Sequence, residues 1–357
     1  MLEKIKSIRP LYYLLLGFPL AVLGSLLGAH PTFNFIAACV GLIPLAGLIG
    51  EATEALSVVI GPKIGGLLNA TLGNAAELII TIVAIKAGLL ELVKASITGS
   101  IIGNLLLVMG FSVLMGGLKN GTQRFSRVHA ATNATMLVLA VVALTVPSVF
   151  NHTLSGQNLS ATTIEAISLG VAGVMVVLYG LGLVFSLRVT PSALTQDTSS
   201  EAPHWPLSTA VVVLAVSTAA VVWLSEILVH TVDAVMAASG LSEFFLGIIL
   251  IPIIGNVAEH LVAVQVALKN KMELSLEIAL GSSLQIALFV APLLVFISLA
   301  FGHQLNLVFN QFELLAVIVA VLVAALVSSD GETNWLEGAQ LLAVYFILGV
   351  AFFFLPT

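Results

Sequence analysis

Charge is the scarcest property of this 357-residue chain, whose Asp, Glu, Lys and Arg make up only 8 % of its residues, against about 25 % in soluble domains. A surface so poor in charge cannot be solvated as a globule. Hydrophobic residues reach 59 % and the mean hydropathy is +1.14, which places the chain in a bilayer. Its 12 basic residues are too few to form a nucleic-acid footprint. Cys39 is the single cysteine, so no intrachain disulfide can form and the redox compartment cannot be read from it. Strict alternation over stretches of about 10 residues, the mark of an outer-membrane barrel, is missing. No His-Glu-x-x-His is present, which argues against an intramembrane metalloprotease. Lys4, Lys6 and Arg9 precede the first apolar run as in a signal peptide. That run is too long, however, and lacks an Ala-x-Ala cleavage site, so it reads as a helix.

What is abundant is apolar sequence cut by Gly, Pro and polar clusters. The cuts leave eleven runs, at 11–29, 35–60, 64–88, 93–116, 129–149, 163–187, 207–238, 243–268, 274–300, 311–328 and 335–355, each near the roughly 20 residues that a span needs. With the amino terminus inside, ten basic residues fall on inner segments and only Lys86 and Lys94 on outer ones. This asymmetry predicts a cytoplasmic amino terminus and an external carboxy terminus.

Two pentapeptides organise the chain. Gly73-Asn74-Ala75-Ala76-Glu77 returns as Gly255-Asn256-Val257-Ala258-Glu259 at an offset of 259 − 77 = 182 residues, and the same offset carries Glu91 onto Glu273 and Ser100 onto Ser282. The fold expected is an all-α membrane protein of 11 transmembrane helices. It comprises one extra N-terminal helix (1–32), repeat 1 (33–187, helices 2 to 6), a cytoplasmic linker (188–206) and repeat 2 (207–357, helices 7 to 11). Five spans per repeat force the second copy to enter the membrane inverted, the plan of secondary transporters with a site near the midplane.

A carboxylate at the bilayer centre survives only beside a partner, a cavity or an ion. Two that face each other repel, and must either hold protons or share a cation. Glu77 and Glu259 are therefore the candidate ion-binding acids, with Asn74 and Asn256 one turn away offering amide oxygens. Oxygen donors without a Cys or His cluster suit a hard cation such as calcium. Gly73 and Gly255 either loosen their helices to expose carbonyls or let them pack closely. Ser100, Asn104, Ser282 and Gln285 form a second polar set, read as lining around the acids, although Gly99-x-x-x-Gly103 also fits a packing seam. Glu54, Glu226 and His260 are candidate proton-pathway residues; the alternative for the two acids is an interfacial place near a helix end, and for His260 a structural role.

These residues resemble the calcium/proton exchanger family of the calcium/cation antiporter superfamily. Residues 69–78 and 255–260 resemble its two signatures. Lys269-Asn270-Lys271, residues 279–286, Ala130-Ala131-Thr132-Asn133-Ala134 and residues 329–338 extend the likeness from about the second helix to the end. The resemblance implies a proton-driven antiporter exporting Ca2+ from the cytosol, with Glu77 and Glu259 as shared acids and Asn74, Asn256, Ser100, Ser282 and Gln285 as lining. Sodium/calcium exchangers often carry Pro beside the motif glutamate, where this chain has Ala76 and Ala258. The acidic segment common between the halves is reduced here to Asp197 and Glu201, so a regulatory calcium site there is not expected.

The function expected is alternating-access exchange of cytosolic Ca2+ for external H+, with Na+/Ca2+ or Mn2+/H+ antiport as alternatives and a channel as a rival. No cofactor is expected, Ca2+ being cargo; the partners are Ca2+, H+ and lipid, with a homo-oligomer left open. The location expected is a prokaryotic plasma membrane, with a vacuolar type as the alternative.

Overall fold

The computed structural model describes residues 12–61, 65, 68, 71–154, 161–189 and 205–355. Among them lie α1 (Gly17–Leu26), α2 (Pro31–Ile60), α3 (Ala75–Lys86), α4 (Leu90–Asn120), α5 (Arg127–Leu154), α6 (Ala161–Val189), α7 (Leu207–Ser239), α8 (Glu243–Leu268), α9 (Met272–Phe301), α10 (Gln311–Val327) and α11 (Trp335–Phe353). They fall on the apolar runs of the sequence. Eight, namely α2, α4 to α9 and α11, are long and apolar enough to cross a membrane by length and composition, whereas α1 and α10 are shorter apolar helices. Much of the 62–70 part of the third expected run, and most of the linker at 188–206, lie outside the described residues.

Helix ends follow local chemistry. Gly240 and Gly302 close α7 and α9 in the left-handed region, at φ +73° and +72°, which costs glycine no Cβ clash. Asn310 and Asn334 open α10 and α11 through capping boxes with Glu313 and Glu337. The third helix departs from expectation. Gly73 and Asn74 form a turn and α3 begins only at Ala75, because Asn74 takes a non-helical conformation and its side chain is engaged elsewhere. Its counterpart α8 runs through Gly255 without a break.

Two helices make the centre. Of the most apolar stretch, 72 % is buried in α4 and 61 % in α9, against 17 % in α6. The outer helices turn large apolar side chains such as Val177, Leu181, Ile347 and Val350 outward, as a lipid-facing surface requires. Gly99 packs on the backbone of Ile248, and Gly247 on the Leu92 backbone and the Ala95 methyl, so α4 and α8 cross in close contact at this point. The packing seam read from the sequence is thus present at Gly99. Gly103, with open space beside it, instead starts a π-helical stretch, Gly103–Val108, and similar stretches occupy Leu246–Leu250 in α8 and Ile286–Val290 in α9.

At one end of the bundle, β1 (Gln123–Arg124) pairs antiparallel with β2 (Glu332–Thr333), with Gln123 opposite Thr333. Gln123 is buried there and donates to the Ala267 carbonyl (2.9 Å) and to Asn270 Oδ1 (3.0 Å), tying the end of α8 to the ribbon. At the opposite end of α9, residues 303–310 run as an extended strap. Ser298, Ser168 and Ser148 accept hydrogen bonds from the amides of Leu305, Leu307 and Phe309 (3.0, 3.1 and 2.9 Å), so three helices satisfy strap backbone that lipid could not.

Candidate ion-binding site

Glu77 is almost wholly buried, at 1 % exposure. It sits in the first turn of α3, directly after the Gly73-Asn74 turn. The exposed N–H groups and positive dipole end of that helix lie inside the bundle and favour negative charge there. Both carboxylate oxygens are occupied: Ser100 donates to Oε1, while Asn256 Nδ2 donates to Oε2 at 3.4 Å and reaches Ser100 Oγ at the same distance. Gly255 stands beside this group; a Cβ added there would lie 3.7 Å from Cβ of Glu77. The glycine thus brings unbroken α8 against the start of α3, which is the close-packing reading of Gly255. At Gly73 the chain does leave the helix.

A second, connected set surrounds Glu259. Asn74 Nδ2 donates to Gln285 Oε1 (2.8 Å), Ser282 donates to Asn74 Oδ1 (3.0 Å), and Asn104 Nδ2 donates to Ser282 Oγ (3.1 Å). All four residues are buried. The Ser282 hydroxyl is within hydrogen-bonding reach of Glu259, which also feels the charge of Glu77. Glu259 Oε2 and Gln285 Nε2 have no hydrogen-bond partner, and an orphaned buried carboxylate oxygen invites a cation or a proton.

The structure therefore brings together Glu77, Glu259, Asn74, Asn256, Ser100, Asn104, Ser282 and Gln285, which come from α3, α4, α8 and α9 and the turn before α3. The amides behave differently from expectation. Asn256 presents its nitrogen to Glu77, and the Asn74 oxygen is taken by Ser282, because carboxylate and hydroxyl oxygens nearby attract amide N–H groups.

Two expected proton-pathway acids stand apart from this network. Glu226 pairs with Lys86 at 3.5 Å in a half-exposed ion pair, and Glu54 is exposed. Glu54 lies in the last two turns of α2, near the helix end that the interfacial alternative requires, whereas Glu226 lies within α7. His260 follows Glu259, and its Nε2 lacks a partner. Among the described residues no group of three or more His, Cys, Asp or Glu is placed to hold a metal ion. One buried acid escaped sequence reading. Glu313 is 1 % exposed, but as the last residue of Asn310-x-x-Glu313 it reads in sequence as an ordinary helix cap.

Eight apolar spans packed around a buried, oxygen-rich polar centre define a polytopic integral membrane protein. A family model described as sodium/calcium exchanger protein matches residues 30–188 and 209–354, and the chain belongs to that family. Two of its relatives are antiporters by name. The Ca(2+)/H(+) antiporter of Aphanothece halophytica is 45 % identical over 360 residues, covering 96 % of each chain. The Ca(2+)/H(+) antiporter ChaA of Bacillus subtilis is 45 % identical over 345 residues, covering 95 % of this chain and 97 % of its own. The solved structure of native YfkE is 42 % identical and superposes with a TM-score of 0.84 over 97 % of this chain and 100 % of its own.

Proposed function

We propose that the protein is a secondary active antiporter that exchanges cytosolic Ca2+ for external H+ by alternating access, at a site formed by Glu77 and Glu259. The observation that carries the reading is the meeting of two intramembrane carboxyls from segments 182 residues apart in one polar network. The two relatives named as Ca(2+)/H(+) antiporters supply the ions.

Eleven crossings in two inverted five-helix repeats, 33–187 and 207–357, form the carrier. The extra helix lies within 1–32, and the linker spans 188–206. Two features favour the duplication. The repeat offset carries residues 104–108 onto 286–290, where α4 and α9 each hold a π-helical stretch. Each asparagine also crosses to the other repeat's serine: Asn256 to Ser100, and Asn74 to Ser282. The basic residues orient the amino terminus to the cytoplasm. The carrier lies in a prokaryotic plasma membrane.

Ca2+ is bound by Glu77 and Glu259, with Asn74 and Asn256 turning their amide oxygens inward. Gly73, Gly255, Ser100, Asn104, Ser282 and Gln285 line the site, and His260 adjoins the proton route. Protons and Ca2+ need the same carboxylate oxygens, so each displaces the other. The Ser282 hydroxyl donates to Asn74 Oδ1 and stands within reach of Glu259, so a change at that carboxyl is felt along the amide chain.

The test is purified protein in liposomes with a pH-sensitive dye. Adding Ca2+ on one side should release protons from the other without sodium, and dissipating the proton gradient should stop uphill uptake. Uptake that follows a sodium gradient, or flux down the calcium gradient regardless of pH, overturns the proposal.

A further inference from the structure

Glu313 is the buried carboxyl that exchange at Glu77 and Glu259 leaves unused. It opens α10 directly after the strap. Its Oε2 accepts the Asn310 amide at 2.8 Å, which completes the cap, while its Oε1 turns away to face the Thr98 hydroxyl of α4 at 3.4 Å. It lines a small cavity together with Thr98, Thr145, Phe309 and Leu314, and the Thr145 hydroxyl there is buried without a hydrogen-bond partner. A water-sized space bordered by a carboxyl and an unsatisfied hydroxyl is where a water is expected to bridge.

Capping alone does not require this placement. The chain holds a second capping box of the same kind, Asn334 with Glu337, and Glu337 keeps contact with solvent. Glu313 performs the same cap at 1 % exposure, where an ionised carboxylate whose second oxygen has only a 3.4 Å hydrogen bond is incompletely satisfied. A line of groups connects it to the surface. Glu91, 63 % exposed, pairs with Lys94 at 3.1 Å; Lys94, 11 % exposed, stands one turn before Thr98 on the same face of α4, and Thr98 reaches Glu313. Among the described residues Glu91 and Lys94 are the charged groups facing Glu313; α5 contributes the Thr145 hydroxyl. Thr98 and Ser100 also lie on opposite faces of α4. One bonds Glu313 on α10 and the other Glu77 on α3.

We propose that Glu313 is a third proton-binding carboxyl of the carrier, exchanging protons with the membrane face that bears Lys86 and Lys94 through the cavity it shares with Thr98 and Thr145, and thereby setting how firmly α4 is held to α10. Ionised, it accepts from Thr98 and draws on Lys94; protonated, its hydroxyl turns to Thr145 and the tie to α4 slackens. The effect on transport rests on the antiport reading above, but the protonation does not.

Glu313→Gln keeps a capping residue and removes the titration, and Glu337→Gln serves as the control cap. Two readouts apply: the pH profile of Ca2+ uptake in liposomes, varied on the face bearing Lys86 and Lys94, and the carboxyl C=O band in infrared difference spectra across a pH step. Glu313→Gln should move the pH midpoint by on the order of one unit and delete one protonated-carboxyl band, while Glu337→Gln leaves both as in wild type. Thr98→Val, which loses the hydroxyl at nearly constant volume, should shift the same band and decides the matter if Glu313→Gln does not assemble. Superimposable pH profiles and an unchanged band overturn the inference. Wild-type protein without Ca2+/H+ exchange, but with the band present, overturns the antiport reading and leaves the proton site standing.

Discussion

Replacing Glu77 by Gln separates what the site does for the fold from what it does for the ion. The amide is isosteric, and its Oε1 still accepts from Ser100. Its Nε2 then faces Asn256 Nδ2 across 3.4 Å, a donor against a donor, until Asn256 turns to present Oδ1. The fold thus loses at most about one hydrogen bond, ~1 kcal/mol, and a detergent melting curve should move by no more than a few degrees. The ion loses far more. A carboxylate and a divalent ion about 4 Å apart attract by roughly 8 kcal/mol, twice the unit-charge value at an effective dielectric constant of about 20. If dehydration offsets even two thirds of this, the remaining ~2.7 kcal/mol is about a hundredfold in affinity. The assay is Ca2+ uptake into liposomes driven by a pH gradient, over a range of Ca2+ concentrations, beside size-exclusion and melting profiles of the same preparations. A folded Glu77→Gln protein that retains uptake within about twofold of wild type would refute the reasoning, because binding could not then run through that carboxylate.

Other consequences are accessible to the same preparations. Ca2+ should bind more weakly as the pH on the binding side falls, since protons and the ion need the same oxygens of Glu77 and Glu259; titrating Ca2+ at several pH values checks it. Gly99→Val places side-chain atoms on the Ile248 backbone where α4 crosses α8, and should destabilise the protein by about 1 to 3 kcal/mol in a melting assay. Ser148→Ala leaves the buried Phe309 amide without its acceptor and frees the Leu307 carbonyl, so a loss of about 1 to 3 kcal/mol is expected, with faster amide exchange confined to the strap. By contrast, Arg124→Ala removes an exposed 3.5 Å pair with Glu332 and should change the melting temperature little, exposed pairs being worth about 0 to 1 kcal/mol.

The sequence by itself determined where the helices lie and singled out the acids set within apolar runs, because both depend on composition along the chain. Lipid forces apolar runs of fixed length with Gly, Pro and caps at their ends, and a carboxylate inside such a run stands out whatever the fold. The exact offset between Glu77 and Glu259 is what points to a repeat. Which side-chain atoms pair across segments over a hundred residues apart was out of its reach. That Asn256 turns its nitrogen to Glu77, that the chain breaks at Gly73 yet runs straight through Gly255, and that Glu226 is drawn to Lys86 instead of the interior follow from neighbours brought by other helices. Glu313 shows the division most plainly. Its motif specifies a helix cap, and only the packing of α4, α5 and Phe309 of the strap around the start of α10 turns that cap into a buried acid, since burial belongs to the packed assembly and not to any residue's local sequence.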